Sequence, residues 1–150
     1  MPKIYLSPST QDQNPYVDGS GSEEYWMNLL ADALEPYLYA NTIAFVRNSP
    51  EMTAASSIAQ ANQLGGFDFY LALHSNASGE GQAGKNRGII VFYYPTSSDG
   101  KRAAELFAAR LREVYPLPSK VTTQATTTLG EVRRPRYPAN LIELGYHDNY

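Results

Sequence analysis

An apolar run from Phe67 to Leu73, interrupted only by Asp68, constrains the fold of this chain more than any other feature. Strands with one face in water alternate apolar and polar residues, whereas strands covered on both faces are apolar almost throughout. The run is therefore predicted to be a central strand of a sheet with helices on both sides. It places His74 at its carboxyl end, the side of such sheets where ligands bind.

Segments typical of strands and of helices alternate along the rest of the chain. Strands are predicted over residues 3–6, 43–46, 88–94 and 139–142, with a further extended segment over 121–128. Helices are predicted near 22–38, 52–59 and 103–114, where apolar residues recur at helical spacing. This alternation predicts an α/β fold: a single three-layer domain over residues 1–150, with a mostly parallel, twisted sheet and helices on both faces.

The first predicted helix carries signals at both ends. Ser20 and Glu23 have the spacing of a capping box, which predicts a helix start there. Pro36 falls inside the helical pattern, and a proline in a helix interior removes a backbone hydrogen bond. We therefore expect a kink or an early end near Glu35.

The composition excludes several kinds of site. The chain has no cysteine, which excludes disulfides, thiolate metal sites and a cysteine nucleophile. Its formal net charge of -3 argues against a nucleic-acid partner, and no apolar run approaches the roughly 20 residues that span a bilayer. A metal site would have to use carboxylates and the two histidines, His74 and His147.

Three titratable side chains lie at predicted element ends. His74 follows the central strand, Glu24 lies in the first turn of the first helix, and Glu143 follows the last strand. Taken alone, His74 is equally typical of a structural histidine, and Glu24 of a carboxylate stabilised by the helix dipole. Glu143 is predicted to be partly desolvated, which is uncommon for carboxylates that are not paired, bound to metal or functional.

Five motifs occur in an order that resembles one enzyme family. They are an E-x-x-x-N-L helix start, an arginine ending the second strand, H-x-N after the central strand, G-x-x-x-x-Y-Y, and P-x-x-L-x-E-L-G. In this chain they are Glu24 to Leu29, Phe45 to Arg47, His74 to Asn76, Gly88 to Tyr94 and Pro138 to Asn149. Together they resemble the zinc-dependent N-acetylmuramoyl-L-alanine amidases, peptidoglycan hydrolases with an aminopeptidase/phosphorylase-like α/β fold.

The resemblance implies a single Zn2+ ion, bound by two histidines and one glutamate with an open position for water, as in catalytic zinc sites. By matching position, Glu24 and His74 are implied metal ligands, and Glu143 is the implied general base. The implied partner is the muramyl peptide of peptidoglycan, cleaved between N-acetylmuramic acid and L-alanine. The implied place of action is the bacterial cell wall, outside the cell or as a phage-type lysin; no signal peptide is visible at the amino terminus.

The sequence departs from the family at the first metal ligand. The family has a histidine in a P-G-H motif after the first strand, where this chain has Pro8-Ser9-Thr10 and then Gln11. Three outcomes are open: Thr10 or Gln11 fills the place together with water, the metal is lost, or another residue supplies the ligand. We hypothesise that His147 supplies it; the alternative for His147 is an ordinary loop histidine.

Other functions also remain open from the sequence. The missing histidine favours a degenerate domain that binds peptidoglycan or regulates a partner, and a metallopeptidase acting on ordinary peptides would share the fold. The cluster Arg133, Arg134 and Arg136 is either solvated or meets stem-peptide carboxylates. Family members commonly continue past the last motif with a helix, so the chain is expected either to be truncated there or to fold without that helix. The oligomeric state is open.

Overall fold

The computed structural model describes residues 1–78 and 81–146. In this part of the chain, six strands form one sheet: β1 (Lys3–Pro8), β2 (Ala44–Arg47), β3 (Phe69–Asn76), β4 (Ile89–Tyr93), β5 (Val121–Ala125) and β6 (Ala139–Tyr146). Their order across the sheet is β2-β1-β3-β6-β4-β5. Only β4 and β6 pair antiparallel in this sheet; the other neighbours are parallel. The predicted mostly parallel sheet is confirmed.

Helices cover both faces of this sheet, as predicted. They are α1 (Glu23–Ala40), α2 (Ala54–Leu64), α3 (Ser98–Arg112) and the short α4 (Gly130–Arg133). One core cluster packs α1 and α3 against Leu71 and Leu73 of β3. The other packs α2 and α4 against Tyr70 and Ala72. Because successive strand residues point to opposite faces, this alternation places His74 on the α2 and α4 side.

The first helix differs from its prediction at both ends. Its N-cap is Ser22, whose hydroxyl accepts a hydrogen bond from the Tyr25 amide, whereas the hydroxyl of Ser20 donates to Asp18 at 2.6 Å. The expectation of an early end near Glu35 is wrong, because α1 continues through Pro36 to Ala40. Leu38, beyond the proline, packs on the core, and this contact offsets the lost backbone bond.

One strand is longer than predicted, and one helix was not predicted from the sequence. Strand β3 continues through His74 to Asn76, so His74 lies within the strand and its backbone is fixed by the ladder. Helix α4 was not predicted; its four residues lie just before β6 and pack against α2.

Among the described residues, no helix has the length and apolar character that crossing a membrane requires.

Candidate active site

The sheet register brings two of the predicted residues together. His74 on β3 is paired directly with Glu143 on the neighbouring β6. Paired residues on adjacent strands point to the same face, so both side chains lie on the side that α2 and α4 cover. The structure thus joins two residues that are far apart in the sequence at one edge of the sheet.

His74 is buried between two carboxylates. Its Nδ1 atom lies 2.9 Å from Glu23 Oε2, and its Nε2 atom lies 2.7 Å from Glu131 Oε1. Burial by itself would lower the pKa of His74, but the hydrogen bonds and charges of Glu131 and Glu23 outweigh it and raise the pKa to about 10. In the metal-free protein the ring is therefore an imidazolium held by two carboxylates.

Glu23, not the predicted Glu24, is the glutamate of α1 that reaches His74. The helix begins at Glu23, and neighbouring helical residues are turned by about 100° from each other. Glu23 therefore faces the sheet edge and is 2% exposed, whereas Glu24 is only half-buried. Burial tends to raise the pKa of Glu23, but hydrogen bonds from His74, Ser9 and Asn14 and the charge of His74 bring it below its ordinary value.

Glu131 is a site residue that the sequence reading missed. It lies in the unpredicted helix α4, 4% exposed, and accepts hydrogen bonds from Ser7, Tyr70 and His74. One signal was present in the sequence: Glu131 is followed by Val132 and lies a few residues before an apolar strand. That signal is weak, since the contacts come from strands β1 and β3, far away along the chain.

Glu143 has an environment unlike that of the other two carboxylates. Burial raises its pKa to about 7; the charge of His74 opposes this shift and the charge of Glu23 adds to it. Its Oε2 atom is buried and accepts no hydrogen bond from the described residues. A buried oxygen without a protein donor is a position that a water molecule, a proton or a ligand can satisfy.

Two cavities open on this cluster. One, of about 240 Å³, is lined by Ser7, Gln11, His74 and Glu131 together with residues of the loops after β1 and β2. The other, of about 380 Å³, includes Gln11, His74, Glu131 and Glu143, and the cationic side chains of Arg133 and Arg134 also line it. Carboxylates and two arginines therefore line the same cavity.

Arg47 holds the start of α1 in place. Its guanidinium donates to Asp32 and Glu35 at 2.6 Å, and to the Asn28 side chain at 2.9 Å. Asn28 in turn donates to the backbone carbonyl of Glu24 at 2.8 Å. The predicted arginine motif at the end of β2 therefore stabilises the helix turn that carries Glu23.

The place of the family's first histidine is taken by uncharged polar residues. Thr10 and Gln11 are both half-buried at the carboxyl end of β1, and the Gln11 amide donates to Ser9 Oγ at 3.2 Å. The Gln11 side chain accepts from Asn14, whose amide also lies 3.4 Å from Glu23 Oε1. His147, the proposed replacement ligand, lies outside the described residues.

The side chains at this site supply part of the ligand set that a zinc ion needs. A carboxylate and an imidazole nitrogen are ligands that zinc accepts, and Glu23 Oε2 and His74 Nδ1 are adjacent donors of these two kinds. Glu143 Oε2 adds a buried oxygen that accepts no hydrogen bond from the described residues. Within residues 1–78 and 81–146, however, no three His, Asp or Glu side chains form a group that could hold a metal. Thr10, Gln11 and His147 are the candidates that the sequence offers for a third ligand.

Solved structures of similar fold are cell-wall amidases. The catalytic domain of CwlV, an N-acetylmuramoyl-L-alanine amidase from Bacillus (Paenibacillus) polymyxa var. colistinus, matches 99% of this chain and 83% of its own, with a TM-score of 0.80 and 15% identity. An N-acetylmuramoyl-L-alanine amidase from Clostridium difficile 630 matches 99% and 81%, with a TM-score of 0.79 and 17% identity. AmiC2 of Nostoc punctiforme, also an N-acetylmuramoyl-L-alanine amidase, matches 99% and 81%, with a TM-score of 0.77 and 12% identity.

The sequence comparisons are consistent with this fold. A search of curated proteins gave no match. A family model described as N-acetylmuramoyl-L-alanine amidase matches residues 10–150, which is nearly the whole chain. This chain therefore belongs to the N-acetylmuramoyl-L-alanine amidase family.

Proposed function

We propose that this chain hydrolyses the amide bond between N-acetylmuramic acid and L-alanine in bacterial peptidoglycan, and so acts at the cell wall. The observation that carries the proposal is Glu143: a carboxylate in register with His74 that lines a cavity, with a buried oxygen that accepts no hydrogen bond from the described residues. A domain that only bound peptidoglycan would gain nothing from a desolvated base at this place.

Glu143 is suited to move a proton during amide hydrolysis. Burial brings its pKa to about 7, so its acid and base forms coexist near neutral pH, where general acid–base catalysis is most effective. In the proposed reaction, Glu143 takes a proton from the attacking water as the oxygen adds to the amide carbon. It then gives this proton to the leaving nitrogen as the carbon–nitrogen bond breaks, which leaves a carboxylic acid on the lactyl group and an amine on L-alanine; the acid then passes its proton to the amine.

Zinc is the cofactor that the family implies, and the proposal includes that the activity of this chain depends on zinc. Glu23 and His74 Nδ1 would hold the ion, with His147 as the third ligand and Thr10 or Gln11 as the alternatives. Bound zinc lowers the pKa of a coordinated water toward neutrality and polarises the scissile carbonyl. Glu24 keeps the position that the family motif indicates, but Glu23 has the contact with His74 that a ligand needs.

The cavity beside Glu143 suits an anionic peptide. Arg133 and Arg134 line it together with Glu143. Guanidinium groups pair well with carboxylates, and the stem peptide of peptidoglycan carries such groups. We assign the stem peptide to this arginine-lined side, with the scissile amide next to Glu143.

The test is hydrolysis of a muramyl peptide by the purified protein. The expected product is a peptide with a free amino-terminal L-alanine, formed after zinc is supplied and abolished by a chelator. An ordinary peptide without the sugar serves as the control substrate. Cleavage of the control alone would indicate a metallopeptidase, and no cleavage of either substrate would contradict the proposal.

A non-catalytic binding domain is the second candidate. It is favoured by two observations: the family's first histidine is absent, and both ring nitrogens of His74 are bonded to carboxylates. Binding of intact peptidoglycan without release of L-alanine-terminated peptide, in protein shown to contain zinc, would support this candidate over the amidase.

A further inference from the structure

Glu131 is a buried carboxylate with a complete set of donors. It is 4% exposed, and a carboxylate so buried is destabilising unless hydrogen bonds compensate its charge. Its Oε2 atom accepts from Ser7 Oγ at 2.6 Å and from the Tyr70 hydroxyl, and its Oε1 atom lies 2.7 Å from His74 Nε2. Each oxygen therefore has a specific partner.

The direction of these hydrogen bonds follows from the groups behind them. Asn48 donates its side-chain amide to Ser7 Oγ at 3.2 Å, so the serine hydroxyl is left to donate its own proton to Glu131. Tyr70 is stacked on Tyr5, with ring centroids 5.2 Å apart and planes 9° apart, and its hydroxyl points to the same oxygen. Because Oε2 accepts from both hydroxyls, Oε1 is the oxygen left for His74, and we interpret its 2.7 Å contact as a hydrogen bond that His74 Nε2 donates.

This proton decides which nitrogen of His74 is available. An imidazole that binds a metal ion through one nitrogen carries its single proton on the other, so a carboxylate that accepts Nε2–H leaves Nδ1, the atom that faces Glu23, as the nitrogen available to the ion. Metal-binding histidines commonly donate their other ring N–H to a carboxylate, which fixes the tautomer and the orientation of the ring. The hydrogen bonds from Asn48 to Ser7 and from Ser7 to Glu131 would serve this purpose; Asn48 follows β2, Ser7 lies in β1 and Glu131 in α4.

We propose that Glu131 is a positioning residue that holds the Nε2–H of His74 and thereby presents Nδ1 to the reaction centre, with Ser7 and Tyr70 holding Glu131 itself. The presentation of Nδ1 to the reaction centre rests on the proposed function, whereas the hydrogen bonds of Glu131 are those of the metal-free protein. In this role Glu131 is a partner of His74 and not a ligand of the ion.

The first measurement is proton NMR of the metal-free protein labelled with 15N at histidine. The chain has only two histidines, so His147→Ala assigns the spectrum. Both ring nitrogens of His74 carry protons in the metal-free protein, and we expect the Nε2–H signal to be protected from exchange with water. It should be lost in Glu131→Ala and shifted but retained in the isosteric Glu131→Gln, whose amide oxygen is a weaker acceptor.

The matched control is Glu23→Gln, which changes the partner of Nδ1 and leaves Nε2 alone. Its Nε2–H signal should remain protected. If Glu131→Ala does not fold, Tyr70→Phe removes one donor to Glu131 and should speed the exchange of the same proton. A signal unchanged in every folded variant of Glu131 and Tyr70 would overturn the assignment.

The second measurement is zinc affinity by titration with zinc alone. A positioning role predicts binding weakened by about 10- to 100-fold in Glu131→Ala, with partial recovery in Glu131→Gln. Complete loss of zinc in Glu131→Gln with a retained Nε2–H signal would overturn the assignment in favour of a ligand role. A parent protein that shows the NMR pattern and yet cleaves no muramyl peptide would refute the proposed function alone.

Discussion

His74 lies between two buried carboxylates and next to a third, and each of the three has a different environment. Glu23 and Glu131 both contact His74, and the pKa of Glu23 is lowered, whereas Glu143 Oε2 accepts no hydrogen bond from the described residues and burial raises the pKa of Glu143 to about 7. Groups of one chemical type whose environments set their pKa values apart take different roles in a reaction. We assign proton transfer to Glu143 and positioning or binding to the others.

Removing the proposed base should abolish turnover but not substrate binding. Glutamine at position 143 keeps the shape of the side chain but cannot accept the proton from water. We expect Glu143→Gln to lower kcat by roughly 100- to 10,000-fold, with the muramyl peptide bound about as well as by the parent. Steady-state kinetics and equilibrium binding measure the two effects. The control is Glu105→Gln, at an exposed position of α3; an equal loss in both variants would contradict the assignment.

Adjacent glutamates at the start of α1 allow a direct test of the metal ligand. Glu23 contacts His74 and Glu24 does not, so Glu23→Gln should weaken zinc binding by at least about 10-fold and Glu24→Gln only slightly. Zinc titration of the two folded variants measures this difference. The reverse order would restore Glu24 as the ligand that the family motif indicates.

Helix α1 determines where its first carboxylate lies. Ser22 caps its amino terminus, and Arg47 ties its side to the end of β2 through Asn28, Asp32 and Glu35. Both contacts fix the helix relative to the sheet edge at which His74 lies. A rotation of this helix by about 100° would bring Glu24 to the direction that Glu23 now has.

Two helix N-caps of similar chemistry allow an effect on helix stability to be distinguished from an effect on the geometry of the site. Ser22 caps α1 and Thr53 caps α2, and each accepts a hydrogen bond from a backbone amide of the first turn. We expect Ser22→Ala and Thr53→Ala each to lower the free energy of unfolding by about 1 kcal/mol. Only Ser22→Ala should also weaken zinc binding, because only α1 carries Glu23. Chemical denaturation and zinc titration measure the two effects, and an equal effect on zinc in both variants would contradict this view.

Across the whole molecule, the buried titratable groups make stability depend on pH. The pKa of Glu143 is raised from 4.5 to about 7, so its contribution is complete below pH 4.5 and is lost as the pH rises through 7. The pKa of His74 is raised from 6.5 to about 10, so its contribution is complete below pH 6.5 and is lost as the pH rises through 10. Glu23 has a lowered pKa and acts oppositely: its contribution is present above pH 4.5 and is lost in stronger acid.

The metal-free protein should therefore be most stable in mild acid and lose stability from about pH 5 to pH 9. Glu143→Gln should remove the part of this decline between pH 4.5 and 7, on the order of 3 kcal/mol. Urea unfolding across this range, with a chelator present, measures the free energy of unfolding. A decline of unchanged slope in Glu143→Gln would show that Glu143 is not the group responsible.

The sequence by itself determined the fold class and the strand ends near which His74 and Glu143 lie. The apolar run before His74 and the strand-like segment before Glu143 are local patterns, and a chain covered on both faces must be apolar locally. For the same reason, the alternation of elements sufficed to predict a mostly parallel sheet between helices. Helix ends are less predictable from local patterns: the capping-box spacing predicts Ser20 as the cap where the structure has Ser22. Pro36 predicts a disturbed helix, whereas tertiary packing carries the helix on to Ala40.

Only the tertiary structure decided which carboxylates surround His74. The choice of Glu23 over Glu24 depends on how α1 is rotated against the sheet, because neighbouring helical residues point in different directions. The role of Glu131 depends on the pairing of β1, β3 and β6, which brings Ser7, Tyr70 and His74 to one helix turn that follows them in the sequence by 57 residues or more. Such contacts arise from strand order and packing between distant segments, and no local pattern of residues encodes them.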